Sequence, residues 1–257
     1  MKTKTRFAWK QFLKNLAIIA IPVALQNMLT TTGSMIDTMM IAPLGETTVG
    51  AVGLCAQFSS LMFAGYWGFF GGGMLFFSQY WGAQDDDGID HSYGLTLTCM
   101  MIVGLTFGAF AIFAPETVMK LYTDKENIQV IGAEYLRIIG FGYPVQVFSM
   151  AMSALLRSTE RVRIPLFASI ASVASNIFLN WVFIYGKFGL TAMGVRGAAL
   201  ATTCAAAVNM AVILILSRAQ GYPYLFHFSK HYRWNSSFVR SYFVKCFPIL
   251  CNEILIG

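Results

Sequence analysis

Charged residues are scarce in this sequence. Of its 257 residues, 12% are Asp, Glu, Lys or Arg and 56% are hydrophobic, whereas soluble domains carry about 25% charged residues. The mean hydropathy of +0.60 agrees with this deficit. The composition excludes an ordinary soluble fold and predicts a protein embedded in a lipid bilayer.

Sequence motifs of catalysis and of metal binding are also missing. No HExxH or GxSG pattern occurs, and the three histidines, His91, His227 and His231, fall outside the apolar runs. The five cysteines lie in or near apolar runs and form no CxxC pair, which indicates packing residues. We therefore expect a protein that is not an enzyme and has no cofactor or bound metal.

Long apolar runs fill most of the chain. A helical span needs about 20 apolar residues, and six such runs cover roughly residues 16–42, 49–80, 93–114, 131–155, 164–184 and 195–216. These runs predict an all-α, polytopic membrane protein with a six-helix lobe over residues 1–218. Residues 219–236 mix aromatic and basic side chains, as an interfacial linker does, and residues 237–257 begin a seventh helix.

The basic residues are dispersed around the apolar runs. If the N terminus is cytoplasmic, most of the 18 Lys and Arg residues fall in cytoplasmic segments, as the positive-inside rule requires. The net charge of +6 therefore follows topology and does not indicate a nucleic-acid partner. We expect a multi-pass protein of the cell membrane with a cytoplasmic N terminus.

An acidic residue, Asp37, lies inside the first apolar run. The stretch from Pro22 to Leu44 otherwise has the composition of a transmembrane helix. A charge near the bilayer interior costs several kcal/mol, so an acid kept there faces a cavity or a partner and marks an ion or substrate path. Pro22 removes a backbone hydrogen bond and permits a bend. The sequence thus predicts a helix with a titratable group and a hinge.

Polar and small residues share one face of this helix with Asp37. Helical steps of four, seven and eleven residues back from Asp37 fall within a narrow arc. The residues at these steps, with one flanking serine, are Gly33, Thr30, Gln26 and Ser34. We expect this stripe to line a substrate cavity.

A second polar constellation lies in the fifth run. Asn176 and Asn180 are four residues apart, and Ser172 and Ser169 continue the same face. Two carboxamides in a bilayer can bond neighbouring helices, or their carbonyl oxygens can bind a hard cation such as Na⁺. The presence of Asp37 elsewhere in the bundle favours a shared cation site.

Three adjacent acids, Asp85 to Asp87, follow the second run. They lack the spaced ligand pattern of a calcium loop, and we interpret them as a solvated inner loop. His227 and His231 are four residues apart, but no third ligand lies nearby in the sequence. We therefore expect no metal site there.

The end of the chain resembles its beginning. Placing Pro248 on Pro22 also pairs Asn252 with Gln26 and repeats the order of basic flank, apolar run, proline and amide. Six intervening spans would make the two halves parallel repeats. We expect that the sequence is truncated near the start of a second half. Glu253 is the other acid well inside a span and a second candidate for cation binding.

Together these residues resemble the multidrug and toxic compound extrusion (MATE) family of transporters. The resemblance covers nearly the whole chain and rests on five groups of residues: Pro22, Asp37 and Gly45; Ser78-Gln79 and Gly82-Ala83; Leu156-Arg157 and Pro165; Asn176, Asn180 and Gly186; Gly197-Ala198-Ala199 and Ala201-Thr202. Glu160 stands where the family usually has glycine. Asn180 stands where some branches have aspartate, which looks more like the bacterial sodium-coupled branch.

The resemblance implies one lobe of a twelve-helix transporter. Such a protein would export amphipathic organic cations, drugs or other xenobiotics, in exchange for Na⁺ or H⁺. Asp37 would bind the coupling ion, Asn176 and Asn180 would line its site, and Glu253 would contribute from the missing C-terminal lobe. The alternative is a lipid-linked oligosaccharide flippase of related architecture, for which we would expect a more basic cavity than spans poor in Arg and Lys provide.

Overall fold

The chain folds into a bundle of helices. The computed structural model describes residues 9–227, 231–232 and 234–256, without the side chains of 10–12, 14–15, 250 and 252–256. Its helices are α1 (Trp9–Ile41), α2 (Glu46–Ala83), α3 (Asp86–Phe113), α4 (Pro115–Tyr122), α5 (Glu126–Ser158), α6 (Arg163–Tyr185), α7 (Val195–Ala219) and α8 (Ser236–Ile256). A short 3₁₀ turn, Ala42–Leu44, follows α1. The described residues form no β-strand, which confirms the predicted fold class.

Six of the described helices, α1, α2, α3, α5, α6 and α7, are long and apolar enough to cross a membrane. Many of their large apolar side chains are exposed, such as Met39 at 67% and Phe110 at 56%. This exposure is what a lipid-facing surface requires, since hydrocarbon chains solvate such groups. The predicted set of six membrane helices is therefore confirmed.

Helix α5 is the centre of the bundle. It packs against α2, α3, α4 and α7, while α6 packs against α7 and α1. Helices α6 and α7 approach closely at Gly197, where a Cβ atom would lie 2.7 Å from the carbonyl carbon of Phe183. The small residues at the start of α7 permit this close packing, and a space remains between α1, α2, α5, α6 and α7.

Helix α3 begins earlier than its apolar run. Asp85 is the N-cap of α3, and its Oδ1 accepts a hydrogen bond of 2.9 Å from the backbone N–H of Gly88. Acids at this end of a helix are favoured by the free N–H groups and the helix dipole. The interpretation of residues 85–87 as a solvated loop is therefore wrong for Asp86 and Asp87, which form the first turn of the helix.

The turn between α5 and α6 contains a backbone conformation that favours glycine. Glu160 has a φ of +63°, in the left-handed region that non-glycine residues seldom adopt. This geometry explains why a glycine suits the position, and Glu160 occupies it at some conformational cost.

Candidate functional site

A cavity of about 580 Å³ lies between α1, α2, α5, α6 and α7. Its size suits a drug-sized ligand. The predicted stripe of α1 lines it, and the residues concerned are Gln26, Thr30, Gly33, Ser34 and Asp37. Pro22 lies inside α1 one turn before Gln26 and does not line the cavity.

Asp37 of α1 is bound directly by Asn180 of α6. The Asn180 Nδ2 group donates a hydrogen bond of 2.5 Å to Asp37 Oδ1, and it lies 3.2 Å from Asn176 Oδ1. Asn180 is fully buried, and its own Oδ1 has no hydrogen-bond partner among the described residues. The carboxylate of Asp37 therefore lies beside an amide group whose oxygen accepts no hydrogen bond from the described residues.

Helix α7 completes this group. Asn176 Nδ2 donates to Thr202 Oγ1 at 3.4 Å, and Thr202 in turn donates to the carbonyl of Ala198. Ser172 donates to the carbonyl of Ala205 on the same helix. The polar face predicted on α6 thus joins α1 to α7. The structure brings together Asp37, Asn176 and Asn180, whose role as a cation site stays a prediction.

A second polar group lies towards the N-terminal half of α1. Arg157 Nη2 donates to Gln26 Oε1 at 2.9 Å, and Gln26 Nε2 donates to Ser169 Oγ at 2.8 Å. These two bonds connect α5, α1 and α6. Arg157 belongs to α5, within a candidate membrane span, and lines the cavity.

Sequence reasoning missed the position of Arg157 because the fourth apolar run, residues 131–155, ends two residues before it. The spacing of polar residues on α5 could have shown it, since Ser149, Ser153 and Arg157 recur every four residues and all line the cavity. A similar signal exists on α7, where Thr202 and Asn209 are seven residues apart and both line the cavity. The spans, expected to be poor in Arg and Lys, thus provide one basic residue, Arg157, to the cavity among the described residues.

The segment after α7 docks on the acidic start of α3. The Tyr224 hydroxyl donates to Asp86 Oδ1, and His227 Nδ1 lies 2.9 Å from Asp90 Oδ2. Burial and the neighbouring Asp86 raise the pKa of Tyr224 to about 12. His231 Nε2 lies 2.8 Å from the carbonyl oxygen of Tyr224, and burial lowers the pKa of this histidine. These acids and histidines hold the segment in place.

Glu253, the other predicted cation-binding residue, lies outside the residues whose side chains the structure describes. Its backbone belongs to α8, which packs against α2. The suggestion that it contributes to a cation site stays a prediction.

The described helices form a multi-pass membrane protein with a polar cavity that is lined by a carboxylate. The MatE family model matches residues 22–182, and the chain belongs to this family.

Known proteins similar to this chain include probable multidrug resistance proteins. The probable multidrug resistance protein YoeA of Bacillus subtilis is 25% identical over 214 residues, which are 83% of this chain and 46% of that protein. The probable multidrug resistance protein NorM of Neisseria meningitidis serogroup A is 26% identical over 77% of this chain and 44% of its own length. The chain therefore spans about half the length of these relatives.

Solved structures agree on the fold. The outward-facing structure of a multidrug resistance MATE family transporter aligns with a TM-score of 0.81 at 22% identity, covering 94% of this chain and 52% of that one. A MATE crystal structure in complex with MaL6 gives a TM-score of 0.82 with 94% and 53% coverage. The predicted relation to one lobe of a MATE transporter is confirmed, and these comparisons give no support to the flippase alternative.

Proposed function

We propose that this chain forms the N-terminal lobe of a cation-coupled antiporter that exports amphipathic organic cations, including drugs, in exchange for Na⁺ or H⁺. The observation that carries the proposal is the contact between Asp37, which lines the cavity, and Asn180, which is fully buried and does not line it. A second lobe would complete the transporter, since the chain spans about half the length of its relatives.

The Asp37 site has the chemistry that a coupling ion needs. Hard cations prefer oxygen ligands, and the site offers the carboxylate of Asp37 and the uncommitted Oδ1 of Asn180. An ionised acid in a bilayer needs a polar environment, whereas an acid neutralised by a proton or Na⁺ does not. Ion binding would therefore change which packing of α1 against α6 is favoured, and this difference is what couples an ion to a conformational change.

The cavity has the chemistry that an amphipathic cation needs. The Trp67 and Phe70 rings stack with their centroids 4.8 Å apart, and both residues line the cavity with Asp37. Aromatic faces attract cations and apolar ring systems. A cationic, partly aromatic molecule would therefore find a favourable surface for each of its parts, next to a carboxylate for which the coupling ion competes.

The test is ion-driven export by the purified protein in proteoliposomes. We expect an imposed Na⁺ or H⁺ gradient to drive transport of a cationic dye and Asp37→Asn to abolish it, because the amide cannot bind either ion by charge. Thr38→Val is the matched control, since this neighbouring hydroxyl is exposed and does not line the cavity. Normal ion-driven transport by a well-inserted Asp37→Asn protein would refute the coupling role.

A further inference from the structure

The cavity has one basic lining residue and one acidic lining residue. Arg157 and Asp37 are its charged lining residues among those that the structure describes. Arg157 is bound to Gln26, which lies eleven residues before Asp37 on α1. A helical rise of 1.5 Å per residue places these two α1 positions about 16 Å apart. The cavity therefore has opposite charges at its two ends.

Arg157 has no acidic partner among the described residues. Its Nη2 donates to the neutral Gln26, and its Nε is buried without a hydrogen-bond partner in the described part of the chain. Arg157 is half-buried, and a charge withdrawn from water without a counter-ion is costly in a protein interior and more so in a bilayer. A charged ligand group that binds there would supply the missing counter-ion.

The guanidinium is well suited to one class of ligand. Its planar array of N–H donors matches a carboxylate, which accepts two parallel hydrogen bonds. Ser149 and Ser153 line the cavity on the turns of α5 before Arg157, and their hydroxyls are neutral. Between the two charged ends, Trp67 and Phe70 provide an apolar wall.

We propose that Arg157 is a carboxylate-binding subsite that determines which amphiphiles this cavity prefers. The carboxylate of such a ligand binds Arg157, its aromatic or apolar body lies against Trp67 and Phe70, and its cationic group lies towards Asp37. This proposal rests on the proposed export function and assigns to Arg157 the preference for ligands that carry a carboxylate. Arg157 selects among substrates, whereas Asp37 serves both classes.

The test compares two forms of one fluorescent dye. A xanthene dye with an esterified benzoate is a cation, and the same dye with the free carboxylate is a zwitterion at neutral pH. The dissociation constant of each form is measured by fluorescence anisotropy with the purified full chain in detergent. We expect Arg157→Gln to weaken binding of the free acid about tenfold, or about 1.4 kcal/mol, and to change binding of the ester less than twofold.

Arg157→Lys is the second variant. It keeps the positive charge but loses the paired donors, so we expect an intermediate preference for the free acid. This variant tests the subsite even where the neutral substitution prevents folding. A loss of the same size for both dyes would show that Arg157 only bridges the helices through Gln26 and would overturn the subsite.

The outcomes also separate this proposal from the proposed function. A wild-type protein that exports the ester dye, but binds the free acid no better than Arg157→Gln does, refutes the subsite and leaves the export function intact. A wild-type protein that binds neither dye refutes the export function and the subsite with it.

Discussion

Asn180 on α6 donates a hydrogen bond of 2.5 Å to Asp37 on α1. The two residues are 143 positions apart in sequence, and their contact joins the helix that carries the acid to the helix that carries the amides. Tyr185 makes another connection between these helices, since its hydroxyl donates to the carbonyl of Met40. The acid is therefore positioned by α6 and not by α1 alone.

Replacing Asn180 is predicted to weaken ion binding. Asn180→Leu removes both the donor to Asp37 and the uncommitted Oδ1. A hydrogen bond to a charged group is worth roughly 1.5 to 3 kcal/mol, so we expect the ion concentration for half-maximal export to rise about tenfold or more. The measurement is dye efflux from proteoliposomes over a range of Na⁺ concentrations and pH values.

Asn180→Asp provides the matched comparison. Two carboxylates in contact cannot both ionise easily, and such a pair keeps one proton. We therefore expect this variant to retain export and to gain a dependence on pH. An Asn180→Leu protein with the ion dependence of the wild type would contradict the assignment of Asn180 to the ion site.

Hydrophobic runs and helical spacing predicted the parts of the fold that depend on local sequence. The bilayer sets the length of each span, and the 3.6-residue repeat places Asn176 and Asn180 on one face of α6. The distance from these amides to Asp37 depends on how α1 packs against α6. The spacing of residues within one helix does not give the distance between two helices. The prediction of a shared site therefore rests on the chemical compatibility of a carboxylate and two amides as cation ligands.

The features that the sequence did not predict lie where a charged residue ends an apolar run while the helix continues past that residue. The fourth apolar run ends at Leu155, yet α5 continues to Ser158, and its Arg157 lines the cavity. In the same way, α3 begins at Asp86, seven residues before its apolar run. Backbone hydrogen bonds, not hydropathy, decide where a helix ends. The partners of these charged residues come from distant segments, such as Tyr224 for Asp86.

Gly94 of α3 is predicted to be essential for docking the segment after α7. A Cβ atom at this position would collide with the carbonyl group of His231, 2.6 Å from its carbon atom. Because backbone cannot move aside as a flexible side chain can, Gly94→Ala should displace the segment. We expect amide hydrogens of residues 221–227 to lose protection from exchange by about tenfold or more, since local opening then costs less free energy.

The matched control for this substitution is Gly53→Ala. Gly53 lies inside α2, and a Cβ atom there would meet no atom within 4 Å. Alanine in a helix interior is favoured over glycine by roughly 0.5 to 1 kcal/mol, so this variant should keep the wild-type exchange pattern. Equal exchange in both variants would show that His231 does not pack on Gly94.

The docked segment is predicted to loosen in mild acid. Burial lowers the pKa of His231 in the folded protein relative to about 6.5 for an exposed histidine. The contribution of neutral His231 to docking is therefore complete above about pH 6.5 and is lost as the pH falls towards the lowered value. Only a protonated Nε2 can donate to the Tyr224 carbonyl, which places the proton of the neutral ring on that atom.

Asp90 and His227 shift the pKa of His231 in opposite directions. The Asp90 carboxylate lies 3.9 Å from its Nε2 and favours the charged ring, while His227 disfavours it. Burial has the largest effect on the pKa of His231. We therefore expect the amide hydrogens of residues 221–227 to be less protected from exchange at pH 5.5 than at pH 7.5, after correction for the intrinsic exchange rate. His231→Asn keeps a neutral donor that does not titrate, so its protection should change much less between these pH values. A wild-type segment equally protected at both values would mean that Asp90 compensates for the burial of His231.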